Sequence, residues 1–344
     1  MRARMALALL AIVVATATSC GQPPEESAED VADQGMDALV EAAKEEGSVV
    51  HYSVETDELN EALAAAFEAE YGIEVETLRL TTGPMLERFA GEQRAGVTNA
   101  DVIQVVDQQV WEEYPDWFVE LSDEEVPGWS DYPEQARHGA CADTMYSIGG
   151  ITYNSEAVPP DQVPTSYEDL LDPYWHGKLL LTDPRSTPAY MGWAALMEET
   201  YGIEYLERLA DQDPTLVESA SPGSQQVAAG AFQANVMAHL SNSTELRDQG
   251  APLDFSIVED PPSGLGTCAG IAAAAPHPNA ARLFMHWRLT AEAQNAGCAV
   301  VELGSPLRDA DQCVQLPDGW EPTPLDVIGD ADRERRLLHA LGIE

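Results

Sequence analysis

The stretch that decides the fold runs from Ser48 to Val106: SVVHYS (48–53), VETDELNEALAAAFEAEYG (54–72), IEVETLRL (73–80), TTGPMLERFAGEQRAGVTNA (81–100) and DVIQVV (101–106). SVVHYS is short, β-branched and aromatic, and reads as a strand. From Asp57 the period changes. Leu59, Leu63, Phe67 and Tyr71 recur every four residues, which gives a helix an apolar stripe to lay on a sheet, and Gly72 stops it. Ile73 to Leu80 reads as a strand, Pro84 to Arg94 as a helix, and Asp101 to Val106 as a short buried strand. A β-α-β-α-β order of this kind predicts an α/β sandwich with a mostly parallel sheet.

Outward from this unit, Met36 to Glu46 predicts a helix ahead of the first strand, while Trp111 to Pro133 has neither period and reads as irregular. Tyr146 to Tyr153 is strand-like. A second α/β pattern follows: strand 178–182, helices 188–200 and 203–210, strand 215–219, helix 225–229 and strands 234–239 and 253–258. A loop at 259–266 leads to strand 267–274, one long helix at 278–296 and a terminal helix at 331–341.

At the N-terminus, Arg2 and Arg4 precede the apolar run Met5 to Ala17, which is the form of a signal peptide over residues 1–19. It ends in Ala17-Thr18-Ser19-Cys20-Gly21, which resembles a bacterial lipobox and implies a lipid on Cys20 and anchoring to the outer face of the cell membrane. Residues 20–35 read as a solvated tether. The chain carries 17 basic against 60 acidic residues, a formal net charge of −43, and its lysines are Lys44 and Lys178 alone. This balance excludes nucleic acid as a partner, because nucleic-acid binding depends on basic patches. With Cys20 given to lipid, Cys141, Cys268, Cys298 and Cys313 remain, an even number for an oxidising compartment, and two disulfides among three connectivities are expected. Cys298 and Cys313 flank a short turn-containing segment.

Several segments together resemble the bacterial extracellular solute-binding proteins of the ferric-iron and small-anion type, relatives of the thiamine, phosphonate and sugar-phosphate binders. They are VVHYS with AFEAEYGIEVETLRL, GPMLERFAGEQRAGVTNADVIQ, GGITYNSEAVP, DLLDPYWHGKLLLTDPRST, VAAGAFQANVMAH and APHPNAARLFMHWRLTAEAQ, in the family order. The resemblance implies a two-lobed, type II periplasmic-binding fold with a hinge. Lobe 1 is expected from residues 36–143 plus 267–316, and lobe 2 from residues 144–266 plus 317–344. It also implies a monomer that is not an enzyme, needs no cofactor, and hands a small-molecule or ion ligand, such as an anion or iron complex, to an ABC permease. An exported enzyme and a solute-sensing receptor subunit are the alternatives. By the family layout Cys141 and Cys268 lie on or beside the strands that cross between lobes, so the expected pairs are Cys141 with Cys268, stiffening the hinge, and Cys298 with Cys313.

Three short motifs put hydroxyls and backbone N–H groups at a strand end or helix start, where acceptor oxygens of a ligand are held: Tyr52-Ser53, Thr81-Thr82-Gly83 and Arg185-Ser186-Thr187. Plain helix capping is the competing explanation for each. Arg185 and His239 are the expected charge partners. Ferric-iron relatives carry adjacent tyrosines where Leu240 and Ser241 stand here, and the chain has no Tyr-Tyr pair. His51, Glu55, Asp107 and His239 form the atypical metal alternative, although no metal is assigned. Gly264-Leu-Gly266-Thr-Cys-Ala269 fits the dinucleotide pattern G-x-G-x-x-A but lacks its strand-then-helix setting.

Overall fold

The computed structural model describes residues 28–106, 109–186, 188–317 and 320–343; the leader, Cys20, Asp107 and Thr187 lie outside the described residues. In chain order the elements are α1 (Ala28–Glu46), β1 (Ser48–Ser53), α2 (Asp57–Tyr71), β2 (Glu74–Arg79), α3 (Thr82–Ala95), β3 (Val102–Val105), α4 (Gln109–Glu113), β4 (Ala142–Asn154), β5 (Leu179–Thr182), α5 (Pro188–Tyr201) and α6 (Ile203–Ala210). They continue as β6 (Thr215–Val217), α7 (Ala220–Ala228), β7 (Ala234–His239), α8 (Leu240–Asp248), β8 (Leu253–Ile257), β9 (Gly264–Ile271), α9 (Pro278–Arg288), α10 (Ala291–Cys298) and α11 (Ala331–Ala340).

Several expectations change. Helix α1 begins at Ala28 instead of Met36 and so takes in the last eight residues of the expected tether. Helix α7 starts at Ala220, ahead of the expected Gln225. The long helix expected over 278–296 breaks at Leu289 and Thr290, where the Thr290 hydroxyl accepts from the Ala293 N–H and caps α10. Helix α8 was not foreseen because it buries only Leu240 and Ser243 and so carries no apolar stripe.

The strands lie in the order β2-β1-β3-β9-β4-β7-β5-β6, with β8 also paired to β4. Pairing is parallel within β2-β1-β3 and β7-β5-β6 and antiparallel wherever β4 or β9 takes part, so the sheet is mixed, not mostly parallel. Strand β4 makes the join. Its residues 142–148 pair with β9, and residues 149–154 lie between β7 and β8. At the change of partners a Cβ on Gly150 would sit 2.3 Å from the Ser256 carbonyl oxygen, so a side chain there would force the strands apart. The chain crosses again near its end: Gly264 N–H donates to Thr323 Oγ1 (3.0 Å), Thr323 N–H donates to Gly264 O (2.9 Å), and Trp320 lies on Tyr146 with ring centroids 4.6 Å apart.

Each half has its own core. In the first, Leu59, Leu63, Phe67, Phe284 and Trp287 fill one face of the sheet, and Tyr52, Phe89, Trp111 and Phe118 fill the other. In the second, Tyr167, Trp175, Trp193 and Leu206 form the larger cluster, with Leu180, Val227 and Leu253 opposite. Burial of a large apolar side chain contributes about 1.5 to 3 kcal/mol, so clusters of this size supply most of the driving force. Both expected disulfides are present, Cys141–Cys268 with Cα atoms 5.6 Å apart and Cys298–Cys313 at 5.0 Å. Cys141 and Cys268 lie in the cluster around Phe89 and Trp111, short of the point where β4 changes partners.

Candidate binding cleft

Strand ends and helix starts from both halves meet around a cleft of about 540 Å³. Thr81, Thr82 and Gly83 enter it from the start of α3, Ser186 from the loop after β5, and His239 from the end of β7. Open α/β sheets place ligands at such carboxyl ends, near free helix N–H groups. A smaller cavity of about 330 Å³ adjoins it, sharing Val106, Leu265 and Leu325 with the cleft and holding His138 and Glu321 on its far side.

The capping alternative can be tested on geometry. Thr56 and Thr290 stand before α2 and α10 and cap them, their hydroxyls accepting from Leu59 and Ala293 N–H at 3.3 Å. Thr81 occupies the same place before α3 and makes no side-chain capping bond. The cause is Pro84, which stands where the capped N–H would be and has none, so the Thr82 and Gly83 N–H groups are the ones at the start of α3 on the cleft.

His239 is neutral at ordinary pH, because burial lowers its pKa to about 4. Its Nδ1 lies 3.0 Å from Ser147 Oγ, which leaves Nε2 for the cleft. Donation from Ser147 to Nδ1 would put the ring proton on Nε2 and make His239 a donor. Ser186 faces the cleft while its hydroxyl donates to Asp183 O at 2.7 Å.

The other expected residues are used elsewhere. Tyr52 is buried in the first core, and its hydroxyl donates to Glu92 Oε1 (2.8 Å) and accepts from Arg88 Nε (3.1 Å). Ser53 is fully buried, and its Oγ accepts from the Glu55 N–H at 3.1 Å. Arg185 is clamped onto Asp183, with Nε 3.0 Å and Nη2 2.8 Å from its carboxylate oxygens, so it shapes its own loop outside the cleft lining. Ser241 opens onto a separate groove with Glu58 and Glu302. Asp107 and Thr187 lie outside the described residues.

Among the described residues, His51, Glu55 and His239 do not come together as a metal site. His51 is buried against Phe284 at 5.2 Å, and desolvation first and the nearby Arg288 charge second lower its pKa to about 3. Glu55 belongs to a polar cluster in the first half, where Gln104 Nε2 donates to Glu55 Oε1 (3.0 Å) and to Thr267 Oγ1 (2.9 Å). Arg288, fully buried, donates there to Gln104 Oε1 (3.2 Å) and Thr144 Oγ1 (2.9 Å). Among the described residues, the group of metal-ligating atoms within reach of one another is His138, Asp143 and Cys268, and Cys268 is held in a disulfide. Gly264 to Ala269 belongs to β9, which agrees with rejecting the dinucleotide pattern.

Six lining residues were not singled out from sequence: Leu86, Val106, Ala189, Tyr190, Leu265 and Leu325. Leu86 lies one turn beyond Thr82 on α3, and that spacing was the available signal. Leu325 comes from a segment with no periodic signal at all.

Residues 62–324 match the sequence profile of the bacterial extracellular solute-binding proteins. No curated protein matches the sequence. Among solved structures, iron-bound HitA from Pseudomonas aeruginosa superposes with a TM-score of 0.68 at 16% identity, covering 86% of this chain and 99% of that one. The Trichodesmium protein IdiA (FutA) in complex with iron and citrate gives 0.69 at 18% identity, over 87% and 100% of the two chains. AfuA from Actinobacillus pleuropneumoniae, bound to fructose-6-phosphate, gives 0.65 at 18%, over 87% and 99%. At such identities the superpositions speak to the two-lobed fold, and the profile match speaks to kinship. It sets aside the exported-enzyme alternative, and no helix among the described residues is long and apolar enough to cross a membrane. With most of its length matched and its lobes folded around one cleft, the chain belongs to the bacterial extracellular solute-binding protein family.

Proposed function

We propose that this protein is the solute-binding lipoprotein of an ABC importer, that lobe 1 comprises residues 36–143 plus 267–316 and lobe 2 residues 144–266 plus 317–344, and that the lobes close on a small solute. The observation that carries this reading is the single cleft that Thr81, Thr82 and Gly83 line from one half and Ser186 and His239 from the other. Hinged closure on a solute is what a membrane permease would recognise. The separate cores support the lobe division, and the crossing segments β4, β9 and 320–325 support a hinge between the lobes.

An iron complex is the weaker version of the ligand. Ferric iron takes hard phenolate or carboxylate oxygens. The described lining offers one phenol, Tyr190, whose hydroxyl already accepts from the Ala220 N–H at 3.3 Å. Lipid anchoring rests on Cys20 after its apolar run. Mass spectrometry of the native N-terminal peptide is expected to find diacylglycerol on Cys20, and an unmodified thiol would remove the anchor. Small-angle scattering with and without solute tests closure. An unchanged radius of gyration at saturating solute would rule it out.

A further inference from the structure

We infer that the solute is an organic monocarboxylate with an apolar body, branched aliphatic or aromatic, and neither a bare ion nor a polyol phosphate. The inference rests on the reading of the cleft as the solute site, and it follows from which side chains face that space. Leu86 of α3, Val106 at the end of β3, Leu265 of β9, Ala189 and Tyr190 of α5, and Leu325 of the returning segment all line it. They come from both lobes and from the hinge, so apolar surface surrounds the space and does not merely border one wall.

A polyhydroxylated ligand would press several hydroxyls against these side chains without partners, and each unpaired polar group removed from water opposes binding. A hydrated ion would lose its shell and find too few oxygens in return. The polar groups of the lining are few, Thr81, Thr82 and Gly83 on one side and Ser186 and His239 on the other with the Tyr190 hydroxyl already engaged by Ala220 N–H, and they suffice for one oxygen-bearing head. The open first turn of α3 favours a negative head. No carboxylate is found among the described lining residues to repel it.

A single negative charge is also the most this site will hold. The described lining contains no arginine or lysine, and the chain's net charge of −43 opposes multiply charged anions. A cleft of about 540 Å³ accommodates such a molecule, within the range of roughly 300 to 1,000 Å³ usual for small-ligand pockets.

The test is a thermal-shift and calorimetric comparison on the full mature chain. Phenylacetate, 4-methyl-2-oxopentanoate and benzoate form one arm, and fructose 6-phosphate, ferric citrate and sulfate the other. At least one monocarboxylate is expected to raise the melting temperature. Its affinity should fall about tenfold in Leu86→Ser, which removes apolar contact, and in Thr82→Ala, which removes a contact to the head. A flat response to all three carboxylates overturns the inference whatever the polar probes do. Lobe contraction with fructose 6-phosphate or ferric citrate in that case would leave the binding-protein reading standing. A carboxylate whose affinity ignores both substitutions would place the ligand outside the cleft and overturn that reading as well.

Discussion

The two lobes are held by different means. The first contains both disulfides and a buried arginine, Arg288, whose bonds tie β3 and β4 to α9. Both bury large aromatic side chains, but the second has no disulfide among its described residues and relies on packing, with Tyr167, Trp175 and Trp193 all fully buried. Tyr167 and Trp193 meet edge to face at 5.4 Å, and Tyr167 also hydrogen-bonds Ser263 Oγ at 2.6 Å. The contrast has a physical origin: a cross-link acts mainly by restricting the unfolded chain, whereas packing acts in the folded state. Reductant should therefore weaken one lobe and spare the other.

The largest effect expected is from Cys141 and Cys268, which close a loop with a sequence separation of 127. Chain-entropy arguments give about 5 kcal/mol for a loop of that length, so replacing both with alanine should lower first-lobe stability by that order. Denaturant unfolding followed by fluorescence checks it, and a single unshifted transition would break the comparison. Trp193→Ala probes the other lobe, where truncation of a buried tryptophan costs about 3 to 5 kcal/mol. Its loss should be the same with and without reductant. Replacing Cys298 and Cys313, separated by 15, should cost only about 3 kcal/mol, and a loss equal to that of the long-loop bridge would show that loop length does not govern the effect.

Acid sharpens the comparison, since each lobe buries one histidine of lowered pKa: His51 to about 3 and His239 to about 4. Both fall below the unfolded value near 6.5, so the unfolded chain takes up protons first as pH drops. Their stabilisation is complete above pH 6.5 and declines through the window down to about 4 for His239 and about 3 for His51. Each contributes up to about 1.4 kcal/mol per pH unit there. His239 contributes less, because its ring borders the cleft. Stability measured from pH 7 to 5 should fall more gently in His51→Asn than in the native chain, and parallel slopes would refute this. The smallest effect is Thr82→Ala, about tenfold in solute affinity with little change in stability. A large loss of stability would mark Thr82 as structural.

Much of this was legible in the chain. Leu59, Leu63 and Phe67 announced the face of α2 that packs on the sheet, and Gly72 ended that helix in the left-handed conformation. Thr81, Thr82, Gly83, Ser186 and His239 were legible as cleft residues because strand ends and helix starts are encoded locally. Tyr52 and Ser53 belonged to the same pattern, yet the first turned into the core toward Glu92 and the second into a turn with Glu55. Side-chain direction at a strand end depends on what lies above it, and periodicity does not report that.

By itself the sequence determined the alternation of strands and helices, the kinship, and the cysteine pairs by way of that kinship. Which threonine caps was itself legible, since Thr56 and Thr290 have an N–H three residues on and Thr81 has Pro84 there, but only the tertiary structure decided that Thr81 and Thr82 face Ser186 and His239. It alone also brought Leu265 and Leu325 to the same cleft, through the hydrogen bonds between Gly264 and Thr323. The reason is that a buried leucine in a core and a leucine facing a ligand obey the same local pattern, and only the packing of distant segments tells them apart.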